Sequence, residues 1–311
     1  MIRPKPLRKG STIGVIGISG AMHDRDTDLD KMLEAIDALG FNMIVDRTCA
    51  SQYGYLSGTD AERAAAINRM FADDRAEAVV CMRGGYGVHR MLDGVDFDII
   101  RANPKIFLGY SDITAMHIAI HERAGLVTFH GPMPSTEWRT MDDFTRDSLL
   151  RALTIAEPLG RVSNPEGVAP RCVVPGVCEG PLVGGNLTLI ASACGTPFAL
   201  DARDKVLLLE DVGEKIYRLD SMLTQLRQAG LFDQCAGVVL GGFTRCTIEY
   251  PDYALDLDDI IRDIIVPAGK PVLANMMIGH VETKLTVPLG VNCRVDAAAG
   301  TLEFTEAALQ A

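Results

Sequence analysis

Over the first half of the chain, short apolar runs alternate with amphipathic helical patterns, and no other feature constrains the fold as strongly. Residues 12–18, 41–45, 78–82 and 106–108 are apolar runs of strand length, and residues 127–130 end another. Residues 28–39 place Leu29, Met32, Leu33, Ile36 and Leu39 at helical spacing and stop at Gly40, a residue suited to a left-handed helix end. Thr59 and Asp60 cap a second helix running to about Phe71, and a third begins near Gly87. Strand and helix in this rhythm predict a parallel sheet covered on both faces. The functional loops of such a sheet leave the carboxyl ends of its strands.

The texture changes after residue 155. Pro158, Pro165, Pro170, Pro175 and Pro181 interrupt residues 156–181, which predicts a linker or crossover between a first domain, 1–155, and a second, 182–311. In the second, Gly184-Gly185-Asn186-Leu187 opens an apolar helical stretch, and residues 205–210 read as a strand. An amphipathic helix spans 216–226 and ends at Gly230, followed by a strand at 236–240. Short strands near 285–287, 293–295 and 302–304, separated by glycine turns, predict a smaller mixed α/β, barrel-like unit.

Composition narrows the function classes. A chain of 311 residues with 48% hydrophobic and 23% charged residues is an ordinary soluble globular protein. Its formal charge of −11 argues against nucleic acid, whose binding depends on neutralising phosphates with Lys and Arg. No apolar run approaches the roughly 20 residues that span a bilayer. The basic start followed by residues 13–18 reads as a first strand rather than a signal peptide, because Gly14 and Gly17 break the run and Asp/Arg-rich sequence follows at once. Eight scattered cysteines without a C-x-x-C pair predict buried, reduced thiols in a cytoplasmic protein.

Four strand ends carry candidate chemistry. Gly109-Tyr110-Ser111-Asp112-Ile113 follows an apolar strand and precedes a helical pattern. A serine at such a corner can be a nucleophile, although Ile113 replaces the second glycine of G-x-S-x-G, and a Ser or Asp there can simply cap a helix. Arg83-Gly84-Gly85-Tyr86-Gly87 can converge backbone N–H groups on an anion, or can serve turn geometry alone. It lacks the G-K-[ST] ending of a nucleotide-binding loop. Glu210-Asp211 sits where an apolar strand ends and could orient an imidazole; His280 lies in a loop. His117 and His121 have an i, i+4 spacing that can bind zinc, but no third ligand suggests itself, and His130 ends a strand beside the cleft. Together the four supply nucleophile, anion loop, acid and base in the order Ser…Glu…His.

In these motifs, and in Gly184-Gly185-Asn186-Leu187, Leu209-Glu210-Asp211-Val212-Gly213-Glu214 and Gly279-His280 with Pro288-Leu289-Gly290, the chain resembles the LD-carboxypeptidases of serine peptidase family S66, which include the microcin-immunity peptidases. The resemblance spans nearly the whole chain. It departs at Gly17-Ile18-Ser19-Gly20, where a turn richer in Pro and Ser would be expected. It implies a flavodoxin-like N-terminal domain carrying Ser111 as nucleophile and a C-terminal domain carrying Glu210 as triad acid and His280 as general base. The N–H groups of Gly85 and Asp112 would form the oxyanion hole. It further implies a homodimer without metal or cofactor, which removes the terminal D-alanine of murein tetrapeptide in cytoplasmic cell-wall recycling. Arg83 or Asn186 could receive the free carboxylate of such a peptide, each being as suited to a structural role. The alternatives are an immunity-type hydrolase of peptidyl or aminoacyl nucleotides, and a non-catalytic small-molecule binding module on the same scaffold.

Overall fold

A computed structural model describes residues 1–22, 25–248, 253 and 255–311, without the side chains of residues 25–28. The first sheet contains β1 (Thr12–Ile16), β2 (Asn42–Val45), β3 (Ala78–Cys81), β4 (Ile106–Gly109) and β5 (Thr128–His130). Every residue of β3 and β4 is buried, as expected for strands covered on both faces. These five strands run parallel in the order β2-β1-β3-β4-β5, which is the flavodoxin-like order. The strand order reverses between β1 and β3, so the loops leaving those two strands bound a natural crevice. The intervening helices are α1 (Arg25–Ala38), α2 (Asp60–Ala72), α3 (Val88–Met91), α4 (Phe97–Ala102) and α5 (Thr114–Ala124), and α6 (Asp143–Thr154) follows β5. The helix expected from Gly87 is thus broken in two. Asp96 restarts it by accepting the N–H groups of Asp98 and Ile99.

The proline-rich segment contains regular structure. It carries β6 (Gly160–Val162), β7 (Arg171–Val174) and the first half of β8 (Val177–Asn186). Pro170 and Pro175 flank β7, an edge strand, where a missing N–H costs little. Pro181 lies inside β8, where pairing with one neighbour ends and pairing with the other begins at Leu182.

The second sheet adds β9 (Val206–Val212), β10 (Gly237–Thr244), β11 (Val272–Ala274), β13 (Asn292–Asp296) and β14 (Thr301–Phe304). Its order is β6-β14-β13-β8-β9-β10-β11-β7, with β8 to β11 parallel and the flanking strands antiparallel. Helices α7 (Leu187–Ala193), α8 (Ile216–Gln228), α9 (Leu231–Gln234) and α10 (Leu257–Ile264) belong to this half.

One strand crosses the expected boundary at residue 182. β12 (Val287–Leu289) pairs antiparallel with β5 and completes the first sheet. Its Val287 and Leu289 are buried in the same apolar cluster as Leu108, Phe129, Leu182 and Leu208. Burial of such side chains stabilises by about 1.5–3 kcal/mol each, so this one apolar cluster ties the two sheets together, while each half also keeps a cluster of its own. Among the described residues no helix is long and apolar enough to cross a membrane. Of the eight free cysteines, Cys172 is exposed and Cys194 and Cys246 are half-buried, so only five fit the expectation of burial.

Candidate active site

Ser111 is separated from β4 by Tyr110 alone and has φ 67°, a left-handed conformation that costs a residue with a β-carbon about 1 kcal/mol or more. The apolar strand Ile106-Phe107-Leu108 is locked in the core on one side and the buried α5 on the other, and the turn between them absorbs the strain. Ile113, where the motif would have its second glycine, packs under Gly109. The clearance around the hydroxyl comes instead from the neighbouring strand end. A β-carbon on Gly84 would stand 2.9 Å from Ser111 Cβ and 3.1 Å from its Oγ.

Glu210 and Asp211 are consecutive residues of β9 and therefore face opposite ways. Asp211 turns to α7, accepting the Thr188 N–H and hydroxyl and the Asn186 amide. Glu210, fully buried, faces the loop after β11. Its Oε2 accepts the His280 Nδ1–H at 2.7 Å and the His280 backbone N–H at 3.1 Å. Gly279 makes that approach possible. Its φ is 97°, and a β-carbon there would lie 2.3 Å from Glu210 Oε2. With Nδ1 protonated, Nε2 is the acceptor, and it receives the Ser111 hydroxyl at 3.0 Å. The Thr244 hydroxyl donates to the His280 carbonyl at 2.6 Å, and the Tyr110 ring packs 4.7 Å from the imidazole, centroid to centroid. Tyr110 is held in turn by Glu137, which accepts its hydroxyl and pairs with the buried Lys284 at 3.1 Å.

The glycine loop is fixed from beneath. The buried Asp112 carboxylate accepts the Ser19 hydroxyl at 2.6 Å and the Val88 N–H at 3.1 Å; burial pushes its carboxyl pKa up, and these hydrogen bonds counter the shift. Arg63, also fully buried, donates to the carbonyls of Ile18 at 2.7 Å and Gly87 at 2.9 Å. Gly85 has φ 135° and lies tight against Gly20. Among the described residues, the N–H groups of Gly85 and Asp112 donate to no protein acceptor.

Of the two candidate carboxylate receptors, Asn186 fits the structural alternative. It is buried, its Nδ2 donates to Asp211, its Oδ1 caps α7 at Leu189, and its backbone N–H reaches Thr114 Oγ1 across the two halves. All of its groups face the protein. Arg83 is half-buried and donates Nη1 to the Ala21 carbonyl at 2.9 Å.

His117 and His130 stand behind the site. Burial pushes His117 down to about 4, and its Nε2–H donates to the Gly109 carbonyl at 2.9 Å. Burial likewise holds His130 well below the usual range, neutral, with Nε2 4.0 Å from Glu210 Oε1. The roles of Ser19, Arg63, Tyr110, Glu137 and Lys284 carried no distinctive sequence signal. The one readable hint was the unusual Gly17-Ile18-Ser19-Gly20 corner, which packs against the glycine loop.

A hydroxyl, an imidazole and a buried carboxylate in one hydrogen-bonded line on a two-sheet α/β frame are the parts of a hydrolase that works by acyl transfer. The comparisons agree as far as a peptidase. The LD-carboxypeptidase N-terminal domain profile matches residues 13–131 and the C-terminal domain profile residues 179–295. The chain is 40% identical to a probable murein peptide carboxypeptidase of Bacillus subtilis, covering 96% of this chain and 93% of that one. The chain belongs to the LD-carboxypeptidase family. A solved muramoyltetrapeptide carboxypeptidase from Oxalobacter formigenes superposes with a TM-score of 0.82 at 27% identity, covering 94% of this chain and 98% of that one. The microcin C7 self-immunity protein MccF of Escherichia coli is 26% identical over 97% of this chain and 95% of that one. A solved MccF structure superposes with a TM-score of 0.91 at 24% identity over the whole of both chains, a likeness of fold.

Proposed function

We propose that this chain is a serine LD-carboxypeptidase that releases the terminal D-alanine of murein tetrapeptide. The observation that carries the proposal is the continuous line Ser111 Oγ–His280 Nε2, His280 Nδ1–Glu210 Oε2, at 3.0 and 2.7 Å. In the mechanism, His280 removes the Ser111 proton as Oγ attacks the scissile carbonyl. Glu210 orients the imidazole and stabilises its charged form. The N–H groups of Gly85 and Asp112 receive the developing oxyanion, and the strained turn at Ser111 holds the hydroxyl out for attack. His280 then protonates the leaving D-alanine nitrogen, and water, activated by the same imidazole, resolves the acyl-enzyme. The neutral His130 and His117 behind Glu210 add no cation to compete for its charge.

The names of the Bacillus and Oxalobacter proteins support a murein peptide as substrate. We place the reaction in the cytoplasm, where recycled peptides arrive, and eight unpaired thiols suit a reducing compartment. A homodimer is part of the same proposal, and sedimentation equilibrium tests it. The likeness to MccF supports a second substrate reading, an aminoacyl-nucleotide conjugate processed by the same three groups.

Mass spectrometry of tetrapeptides ending in D- or L-alanine, and of an aminoacyl sulfamoyl adenosine, after incubation with the enzyme separates the readings. The proposal expects D-alanine release from the first peptide and little from the second. Equal cleavage of both peptides, or cleavage of the nucleotide conjugate alone, moves the function to the second reading.

A further inference from the structure

The cleft beside Ser111 has a volume of about 750 Å³ and is lined by Tyr110, His280, Glu137, Lys284, Glu282 and Arg245, among others. Its two cations differ in what they have free. Lys284 is buried and engaged, with Nζ 3.1 Å from Glu137 Oε1 and 3.3 Å from the Tyr110 hydroxyl. Arg245 is exposed to the cleft and makes no hydrogen bond or ion pair to any other described residue. Its backbone has φ 53°, a conformation that residues with a β-carbon rarely adopt and that recurs at functional sites. It directly follows Thr244, the last residue of β10, whose hydroxyl holds the His280 carbonyl. The strand end that latches the imidazole loop therefore also delivers a guanidinium to the same cleft.

A carboxypeptidase has to tell a chain terminus from the middle of a chain, and the difference is one carboxylate charge. In a protein of net charge −11, that recognition needs a cation fixed near the nucleophile. The planar fork of an arginine matches a carboxylate with two parallel hydrogen bonds. Asn186 is sealed inside the fold, and Arg83 directs a guanidinium nitrogen to the Ala21 carbonyl on the β1 side.

We propose that Arg245 is the specificity residue that binds the free α-carboxylate of the substrate's terminal residue and so sets the register of the scissile bond at Ser111. This rests on the carboxypeptidase reading above.

The test compares the tetrapeptide with its terminal amide, which has the same length and side chains but no charge at its end. D-alanine (or D-alaninamide) release is measured with wild type, Arg245→Ala, Arg245→Lys and Arg83→Ala, and binding of both peptides is measured by calorimetry on Ser111→Ala. Wild type is expected to prefer the free acid, with Arg245→Ala losing about 10- to 100-fold in kcat/KM on the acid and little on the amide, the range expected for a charged hydrogen-bonding partner. Arg245→Lys recovers part of the preference, Arg83→Ala keeps it, and Ser111→Ala binds the acid more tightly than the amide only while Arg245 is present. An acid-to-amide ratio unchanged in Arg245→Ala, or abolished in Arg83→Ala instead, overturns the assignment while leaving the carboxypeptidase reading standing. Failure of that reading looks different: wild type then releases nothing from the free-acid peptide, and the assignment falls with it.

Discussion

At the scale of single residues, the site depends on groups set where a β-carbon or a charge would ordinarily be penalised. Gly279 is one: a β-carbon there meets the Glu210 carboxylate at 2.3 Å, on a backbone with φ 97°. Gly279→Ala is therefore expected to cut D-alanine release by about three orders of magnitude or more, because it displaces the acid that orients His280. Stability should fall too, by about 1–2 kcal/mol for the left-handed backbone and by about 1–3 kcal/mol more for the overlap with the buried Glu210 side chain. Activity within tenfold of wild type would show that Glu210 can move without consequence. His117 gives a second residue-scale test. Burial lowers its pKa from 6.5 to about 4, so over that interval the unfolded chain binds a proton that the folded chain refuses. The stabilisation from keeping it neutral is complete above about pH 6.5 and drains as the pH falls toward 4, on the order of 3 kcal/mol for a single group. His117→Gln keeps a donor for the Gly109 carbonyl and removes the titration. Its melting temperature should drop less between pH 7 and pH 5 than that of wild type, and parallel drops would refute the linkage. Ser111 and Glu210 could be picked out as candidates because one follows and the other lies near the end of an apolar strand, whereas His280, in the loop between β11 and β12, stood out only in combination with them. For Asn186 the sequence left two roles open, because a strand-end Asn beside two glycines reads equally as a receptor and as a helix cap, and only the position of Asp211 favours the second.

At the scale of elements, the strand ends of β1, β3 and β4 are bound into one unit by side chains from below. Arg63 carries much of this, with donors on the Ile18 and Gly87 carbonyls and on Asp60. Replacing it by Met keeps the apolar stem but leaves two buried carbonyls unpaired, which should cost about 2–4 kcal/mol in urea unfolding. It should also lower kcat more than it raises KM, since the loop it holds is assigned to the transition state. A stability within 0.5 kcal/mol of wild type, roughly the range of neutral surface changes, would mean the loop holds itself. The parallel sheet was legible because buried strands leave continuous apolar runs and their helices leave a regular face. Arg63 was not, since on a helix pattern it looks like any solvent-facing arginine. The strands β6 and β7 were hidden by their prolines, which normally argue against strands but are tolerated at edges and strand starts.

At the scale of the molecule, the sequence suggested two units, and the structure has two sheets tied together by one apolar cluster that spans both. β12 leaves the second half to complete the first sheet, a long-range pairing with no local signature in a three-residue strand containing Pro288. Calorimetry should accordingly show one cooperative unfolding transition, and two well-separated transitions would contradict a shared apolar cluster. The proposed chemistry depends on the same arrangement: Ser111 stands after β4 of the first sheet, Glu210 on β9 of the second, and His280 on the loop that runs from β11 of the second sheet to β12 of the first. The most direct measurement of that account is the rate of D-alanine release from murein tetrapeptide by wild type and by Ser111→Ala, with circular dichroism confirming that both are folded. The account predicts release by wild type and a loss of roughly four to six orders of magnitude in the folded variant. D-alanine release by Ser111→Ala at a rate near that of wild type would contradict it.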